Sequence, residues 1–177
     1  MTKKQLELTI ELAYNAFKAI FSVDIAGWGF FIVDDNKSPL NRKIMASYDD
    51  ELDMIFINPY IAEIIIDAGL PDYMVIPTIF SKVGHEFRHA WQKRQKDYED
   101  DFENRILLIE DEDKYRHQRI EVDAFAFEEV ILKAMTGDKN MVLDIEDGDD
   151  VHELAMKLYD EYKNIVEKEI KNVMNLI

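Results

Sequence analysis

Pro77-Thr78-Ile79-Phe80-Ser81-Lys82-Val83-Gly84-His85-Glu86-Phe87-Arg88-His89-Ala90-Trp91-Gln92 is the stretch on which the reading of this chain turns. Pro77 suits the start of a helix, where its missing N–H would have had no partner anyway. From there Ile79, Val83, Phe87 and Ala90, with Ile76 ahead of them, recur at helical spacing and gather on one side. A helix from Pro77 to about Lys96 is expected. On it His85 and His89 stand one turn apart, with Cβ atoms about 6 Å from each other. They share a row with Thr78 and Lys82, roughly opposite the apolar stripe, which disfavours core histidines. The pair then either lies on a solvated face or faces a cleft built by other elements. Two imidazoles so spaced can grip one metal ion, with Glu86 beside its open position and able to take a proton from bound water.

A catalytic metal of this kind needs a third protein ligand. A glycine and a third histidine shortly after the pair would supply one, but Gln92 and Gln95 occupy those positions. Of the four histidines in the chain, only His117 and His152 remain. The other source is a carboxylate from a later helix. The segment from Gln118 to Met135 carries Ile120, Ala124, Phe127, Ile131 and Met135 as an apolar stripe, and Gly137 fits its C-terminal cap. Glu121 lies at the edge of that stripe, flanked by Phe125 and Leu132 and in line with Glu128. A carboxylate on a half-buried edge needs a partner, so Glu121 is the best candidate for the third ligand. Asp123 points away on the same helical projection. Arg88 falls between the two faces of its helix and reads as a salt-bridge partner.

Outward from these helices the chain has a simple order. Thr2, with Gln5 three positions on, resembles a capping box. It opens a helix to Phe21 whose inward residues are Leu6, Ile10, Ala13, Phe17 and Ile20. Strands are expected at Trp28–Val33, at about Lys43 to Tyr48, and at Met54–Ile57. Asp34-Asp35-Asn36 reads as a turn, and Asn58-Pro59 ends the third strand. A short helix from Ile61 to Ala68 stops at the Gly69/Pro71 break. Residues 97–113 are acidic, with Arg105 the only basic residue among them. Asp149 or Asp150 should cap a long final helix with Val151, Leu154, Leu158, Ile165 and Val173 turned inward. Several helices around about three strands make an α+β domain, and the absence of repeats or linkers predicts a single unit over residues 1–177.

The composition narrows the functional classes. A chain of 177 residues, 47 % of them hydrophobic, can bury a substantial core. Its formal net charge of −16 opposes sequence-independent nucleic-acid binding and attraction to anionic membranes. Acidity also fits basic partners or substrates, although it equally serves solubility alone. With no cysteine, disulfides and thiol chemistry are excluded. No stretch has the length of a membrane span or the form of a signal peptide, so a cytoplasmic location is expected.

His85-Glu86-Phe87-Arg88-His89-Ala90-Trp91-Gln92, followed by Tyr115 to Phe127 with its Glu121-Val122-Asp123-Ala124, resembles the minimal gluzincin-type metallopeptidases. These include phage-associated proteins and the ImmA/IrrE type. The likeness covers about Asp53 to Glu129, with the strand at Met54–Ile57 counted as the edge strand beside the cleft. It implies a zincin-like fold with a small mixed or antiparallel sheet, one Zn2+ per chain, His85, His89 and Glu121 as ligands, and Glu86 as general base. Many gluzincins place Asp or Asn four residues after the ligand glutamate to orient a histidine. Here Phe125 holds that place, so the supporting partner must come from elsewhere.

The function expected is hydrolysis of a peptide bond in a peptide or protein substrate, with Tyr115 or His117 as candidates to stabilise the oxyanion. The strand at Met54–Ile57 would bind an extended peptide by edge pairing. Two other readings stand beside this one. One is a catalytically silent zincin-fold module that keeps its metal for binding or regulation. The other is an acidic protein that sequesters basic partners through residues 97–113.

Overall fold

The computed structural model describes residues 1–32, 44–106, 110–137 and 148–175. Among them lie helices α1 (Lys3–Phe21), α2 (Ile61–Asp67), α3 (Val75–Gln92), α4 (Glu99–Glu103), α5 (Glu112–Arg116), α6 (Arg119–Thr136) and α7 (Gly148–Met174). Three strands, β1 (Gly27–Phe30), β2 (Ala46–Asp49) and β3 (Met54–Ile57), form one small mixed sheet. The architecture is α+β and mostly helical. No described helix is long and apolar enough to cross a membrane.

α1 forms as its sequence predicts. The Thr2 hydroxyl accepts from the Gln5 amide, and the Gln5 side chain accepts from Thr2 N–H at 2.8 Å, which closes the capping box. Leu6, Ile10, Ala13, Phe17 and Ile20 are all buried. Ser22, in the left-handed region at φ 52°, ends the helix.

The sheet corrects one expectation. β3 was expected at an edge, but it is the central strand, parallel to β1 and antiparallel to β2. Met54-Ile55-Phe56-Ile57 is the most continuously apolar of the three strands, and Ile55 and Ile57 have no exposed surface. Such a strand is suited to the middle of the sheet, where both of its ladder edges are paired. The unpaired ladder edges among the described strands therefore belong to β1 and β2. The β2–β3 turn is held by Asp49, whose carboxylate accepts from the amides of Glu51 and Leu52. Asp53 sits there at φ 54°, bonded by the Tyr48 hydroxyl and by Arg94 from the end of α3. Val33, the turn at residues 34–36 and Lys43 lie outside the described residues.

α3 begins at Val75, after a tight turn at Asp72–Met74, so Pro77 falls within its first turn rather than at its first position. It ends at Gln92, short of Lys96. More consequential is its burial. His85, Glu86, Arg88, His89 and Gln92 are all buried, as are Phe80, Val83 and Phe87. The expected opposition of an apolar face and a polar face is present, but the polar face is covered by α6. Thus α3 packs against α1 and the sheet with one side and against α6 with the other.

Gly84 makes the close approach possible. A Cβ built there would lie 2.2 Å from Ile131 Cδ1 on α6 and 2.9 Å from Phe17 Cζ on α1. The helices meet across the one position with no side chain, immediately before the first histidine. Around it Phe17 packs with Phe80, Phe87 and Phe127 at ring separations of 6.1–6.4 Å.

α7 packs on α6 and α1 through Leu158, Val166, Ile170 and Val173. Ile165, expected inward, is 37 % exposed, because the buried row runs through Tyr162 and Val166 instead. α7 begins at Gly148, ahead of the two aspartates expected to cap it, and those side chains and that of Val151 are outside the described ones. The acidic segment is partly helical, as α4 and α5. Residues 107–109 within it are not described.

Candidate metal centre

α3 and α6 run antiparallel, so residues that advance along one meet residues that recede along the other. Lys82 pairs with Glu128, His85 with Glu128 and Glu121, His89 with Glu121, and Gln92 with Asp123. The three expected ligands come together in this ladder. Donor atoms of His85, His89 and Glu121 all lie within 4.8 Å of one another. His85 Nε2 and His89 Nε2 are 3.0 Å apart, and each is close to one Glu121 oxygen, at 3.3 and 3.4 Å.

Those separations allow a test of fit. Ligands about 2.0–2.1 Å from a tetrahedral ion are themselves about 3.3–3.4 Å apart. The separations found here, 3.0 Å between the two imidazole nitrogens and 3.3 and 3.4 Å from them to the two different Glu121 oxygens, are of that size. Glu121 Oε2 is also a buried oxygen with no hydrogen-bond partner, its 3.3 Å approach to His85 being off line. A buried carboxylate oxygen left unpaired is costly unless a cation completes it. The residues fit a metal ion.

Each imidazole is held from behind by its other nitrogen. His85 Nδ1 lies 2.6 Å from Glu128 Oε1, a close contact although off the line of an ideal hydrogen bond. The Lys82 ammonium donates to both Glu128 oxygens at 2.7 and 2.9 Å. His89 Nδ1 faces Gln92 Oε1 at 2.8 Å. Such outer partners orient a ligating histidine and raise its basicity. Glu128, one turn beyond Phe125 on α6, thus supplies the outer partner of His85 that Phe125 cannot. Phe125 itself forms a wall, its ring 4.9 Å from that of His85.

The electrostatics match a cluster built for a cation. Burial alone would lower the His85 pKa, but the Glu128 and Glu121 carboxylates outweigh it and raise it to about 10. His89 is raised for the same reason, burial being overcome chiefly by Glu121. Burial likewise works against ionising Glu121 and Glu128. Their cationic neighbours win, His89 and His85 for the first, Lys82 and His85 for the second, and hold both carboxyls below the usual range. Glu86 goes the other way. Burial, helped by the nearby Glu121 and Glu128 charges, pushes it up despite the two histidines.

Tyr115 turns inward from the end of α5 into contact with Glu121. Burial first, then the Glu121 and Glu86 charges, raise its pKa well above the ordinary phenol value. His117 does not join the group, since its side chain is exposed on the turn between α5 and α6. Arg88 is a salt-bridge partner as expected, gripping Asp123 through two bonds at 2.8 and 3.0 Å. Asp123 itself departs from the helical projection. It is 4 % exposed and lies behind the cluster, because α6 is covered on two sides, by α3 and by α7. Glu128, Gln92, Asp123 and Lys82 were not assigned roles from sequence. The spacing that reveals the first two is simple: Glu128 is two turns beyond Glu121, and Gln92 is one turn beyond His89.

Fold and site together define an α+β protein with a buried His–His–Glu group able to hold a metal ion. No protein family matches the chain, and no curated protein or solved structure is similar to it.

Proposed function

We propose that this protein is a small zinc-dependent peptidase of the zincin type, with His85, His89 and Glu121 as ligands and Glu86 as general base. The observation that carries the reading is the convergence of buried donor atoms from His85, His89 and Glu121 within 4.8 Å of one another, with the Glu86 carboxylate interacting with both histidines. Two nitrogens and one carboxylate favour zinc, although other first-row ions accept the same set. Held by His85, His89 and Glu121, a zinc ion would supply an activated water, its pKa near 7, and a Lewis acid for the substrate carbonyl.

The protein groups supply the remainder. Glu86, its pKa raised by burial, takes the proton from the attacking water as oxygen bonds to the carbonyl carbon. The same carboxyl returns that proton to the amine as the C–N bond breaks. Tyr115, kept protonated by its surroundings, would donate a hydrogen bond to the carbonyl oxygen as negative charge builds there. With β3 central, an extended peptide would pair with the edge of β2 that is left unpaired among the described residues; β2 packs against α3.

A second reading, a silent module that retains the metal for stability or regulation, is favoured by the burial of the cluster. His85, Glu86, His89 and Glu121 are only 4–7 % exposed. The Glu86→Gln substitution separates the two. The peptidase reading expects wild type loaded with zinc to cleave a mixture of unfolded-protein peptides, and Glu86→Gln to bind zinc and fold normally without cleaving. Equal behaviour of the two proteins would leave the silent module.

A further inference from the structure

The second nitrogen of His89 leads into a chain of fully buried polar groups. Gln92 is 0 % exposed, Arg88 3 % and Asp123 4 %. The Gln92 amide nitrogen donates to the Ile120 carbonyl at 2.9 Å and to Asp123 Oδ2 at 2.6 Å. Both partners accept. A carbonyl oxygen has no proton to give, and Asp123 is the carboxylate that Arg88 grips through two bonds. The Gln92 amide can therefore be turned only one way, with Oε1 toward His89 Nδ1 at 2.8 Å. An amide oxygen cannot donate, so His89 carries a proton on Nδ1, and Nε2 is the nitrogen left to face Glu121 and His85.

The far end of the chain is equally fixed. The Arg88 guanidinium lies 4.0 Å from the Trp91 ring centre and is enclosed by Phe21, Phe127 and Tyr162. It also meets the Tyr162 hydroxyl of α7 at 3.4 Å. Arg88, Asp123 and Gln92 thus tie α3, α6 and α7 together behind one ligand.

We propose that Gln92 is a positioning residue of the metal centre. Locked by Asp123 and the Ile120 carbonyl, it holds His89 in the one tautomer and orientation that present Nε2 to an ion. The proposal rests on the metal reading above and adds to it the group that prepares one of the ligands. A structural staple between α3 and α6 would use the same bonds, so the test must part the two roles.

Gln92→Met keeps the length and loses the acceptor. Gln92→Glu keeps an acceptor for Nδ1–H and loses the donor, placing a second carboxylate against Asp123. A positioning role expects Gln92→Met to bind zinc about 10–100-fold more weakly in competition with a chromophoric chelator. Its cobalt-substituted protein should show a shifted visible band. Gln92→Glu should keep wild-type zinc affinity and band position while being the less stable of the two in urea. In zinc-loaded wild type the His89 Nδ1–H proton should be downfield and slow to exchange with solvent.

Zinc affinity that simply follows stability across the variants, or a fast-exchanging Nδ1–H, would overturn the proposal and leave the metal centre standing. Unaltered affinity in Gln92→Met would do the same. Failure of wild type itself to bind zinc would overturn both.

Discussion

Gly84→Ala probes the contact that brings the two helices of the site together. The added methyl would lie 2.2 Å from Ile131 Cδ1 and 2.9 Å from Phe17 Cζ. Carbon atoms rest comfortably about 3.5–4.0 Å apart, so Ile131 Cδ1 must retreat by about 1.5 Å. On the other side the Phe17 ring is wedged among Phe21, Phe80, Phe87 and Phe127 and has little room to yield. Overpacking of this kind costs about 1–3 kcal/mol. Replacing glycine inside a helix returns about 1 kcal/mol. The net expectation is a destabilisation of up to about 2 kcal/mol, or a Tm lower by up to about 8 °C for a chain of this size.

The decisive experiment is a double-mutant cycle with Ile131→Val, which removes the very carbon at 2.2 Å. Alone that change costs about 0.5–1.5 kcal/mol. Combined with Gly84→Ala it vacates the space the new methyl needs, so the double variant should be more stable than the sum by about 1 kcal/mol. Urea unfolding of the four proteins in the presence of a chelator measures this without metal linkage. Additivity within about 0.3–0.5 kcal/mol would refute the contact as the reason for glycine at 84.

Further outcomes follow from the charges around the site. Glu128→Ala should weaken zinc binding by about 10–100-fold, as measured by chelator competition, because His85 loses its Nδ1 partner. Its stability loss should fall below the ~3–5 kcal/mol of a wholly buried pair, since 22 % of the Lys82 side chain stays in water. The metal-free protein should be most stable near pH 4.5–6.5 and lose stability on both sides. The raised His85 pKa gives stability that is complete below 6.5 and lost as pH rises through about 10, while the raised Glu86 adds a smaller contribution complete only below 4.5 and lost as pH rises above it. The depressed Glu121 and Glu128 carboxyls give stability present above 4.5 and lost as pH falls. Urea midpoints that rise from pH 6 to pH 9 would contradict this. Zinc affinity should rise with pH over the same interval, because the ion displaces the imidazole protons.

The parts of this molecule that follow from local pattern were legible in the sequence. Thr2 and Gln5 announce α1, Gly137 ends α6, and His85 and His89 stand one turn apart on any helix. Glu121 was legible because a carboxylate at the rim of an apolar stripe demands a partner. What was hidden depends on neighbours that no local window contains. Met54–Ile57 reads equally as an edge or a central strand until β1 is seen to pair with it across the intervening chain.

Asp123 looked outward because the projection assumed that the side of α6 away from its apolar stripe meets water. Here that side meets Arg88 and α7. The same assumption left the His85 face of α3 open to solvent or a cleft. In the folded chain polar groups on two helices bury one another, and hydrophobic periodicity does not register that kind of core. The registers that do so were present, with Glu128 two turns after Glu121 and Gln92 one turn after His89, but each gains meaning only once the opposing helix is in place.

Metal content of the purified protein, by elemental analysis of wild type beside His85→Ala and Glu121→Ala, tests the central claim most directly. Binding through the three donors predicts about one zinc per wild-type chain after zinc is supplied and excess removed, and its loss in both variants. A wild type that retains no metal, or a Glu121→Ala protein that retains as much as wild type, would contradict the account.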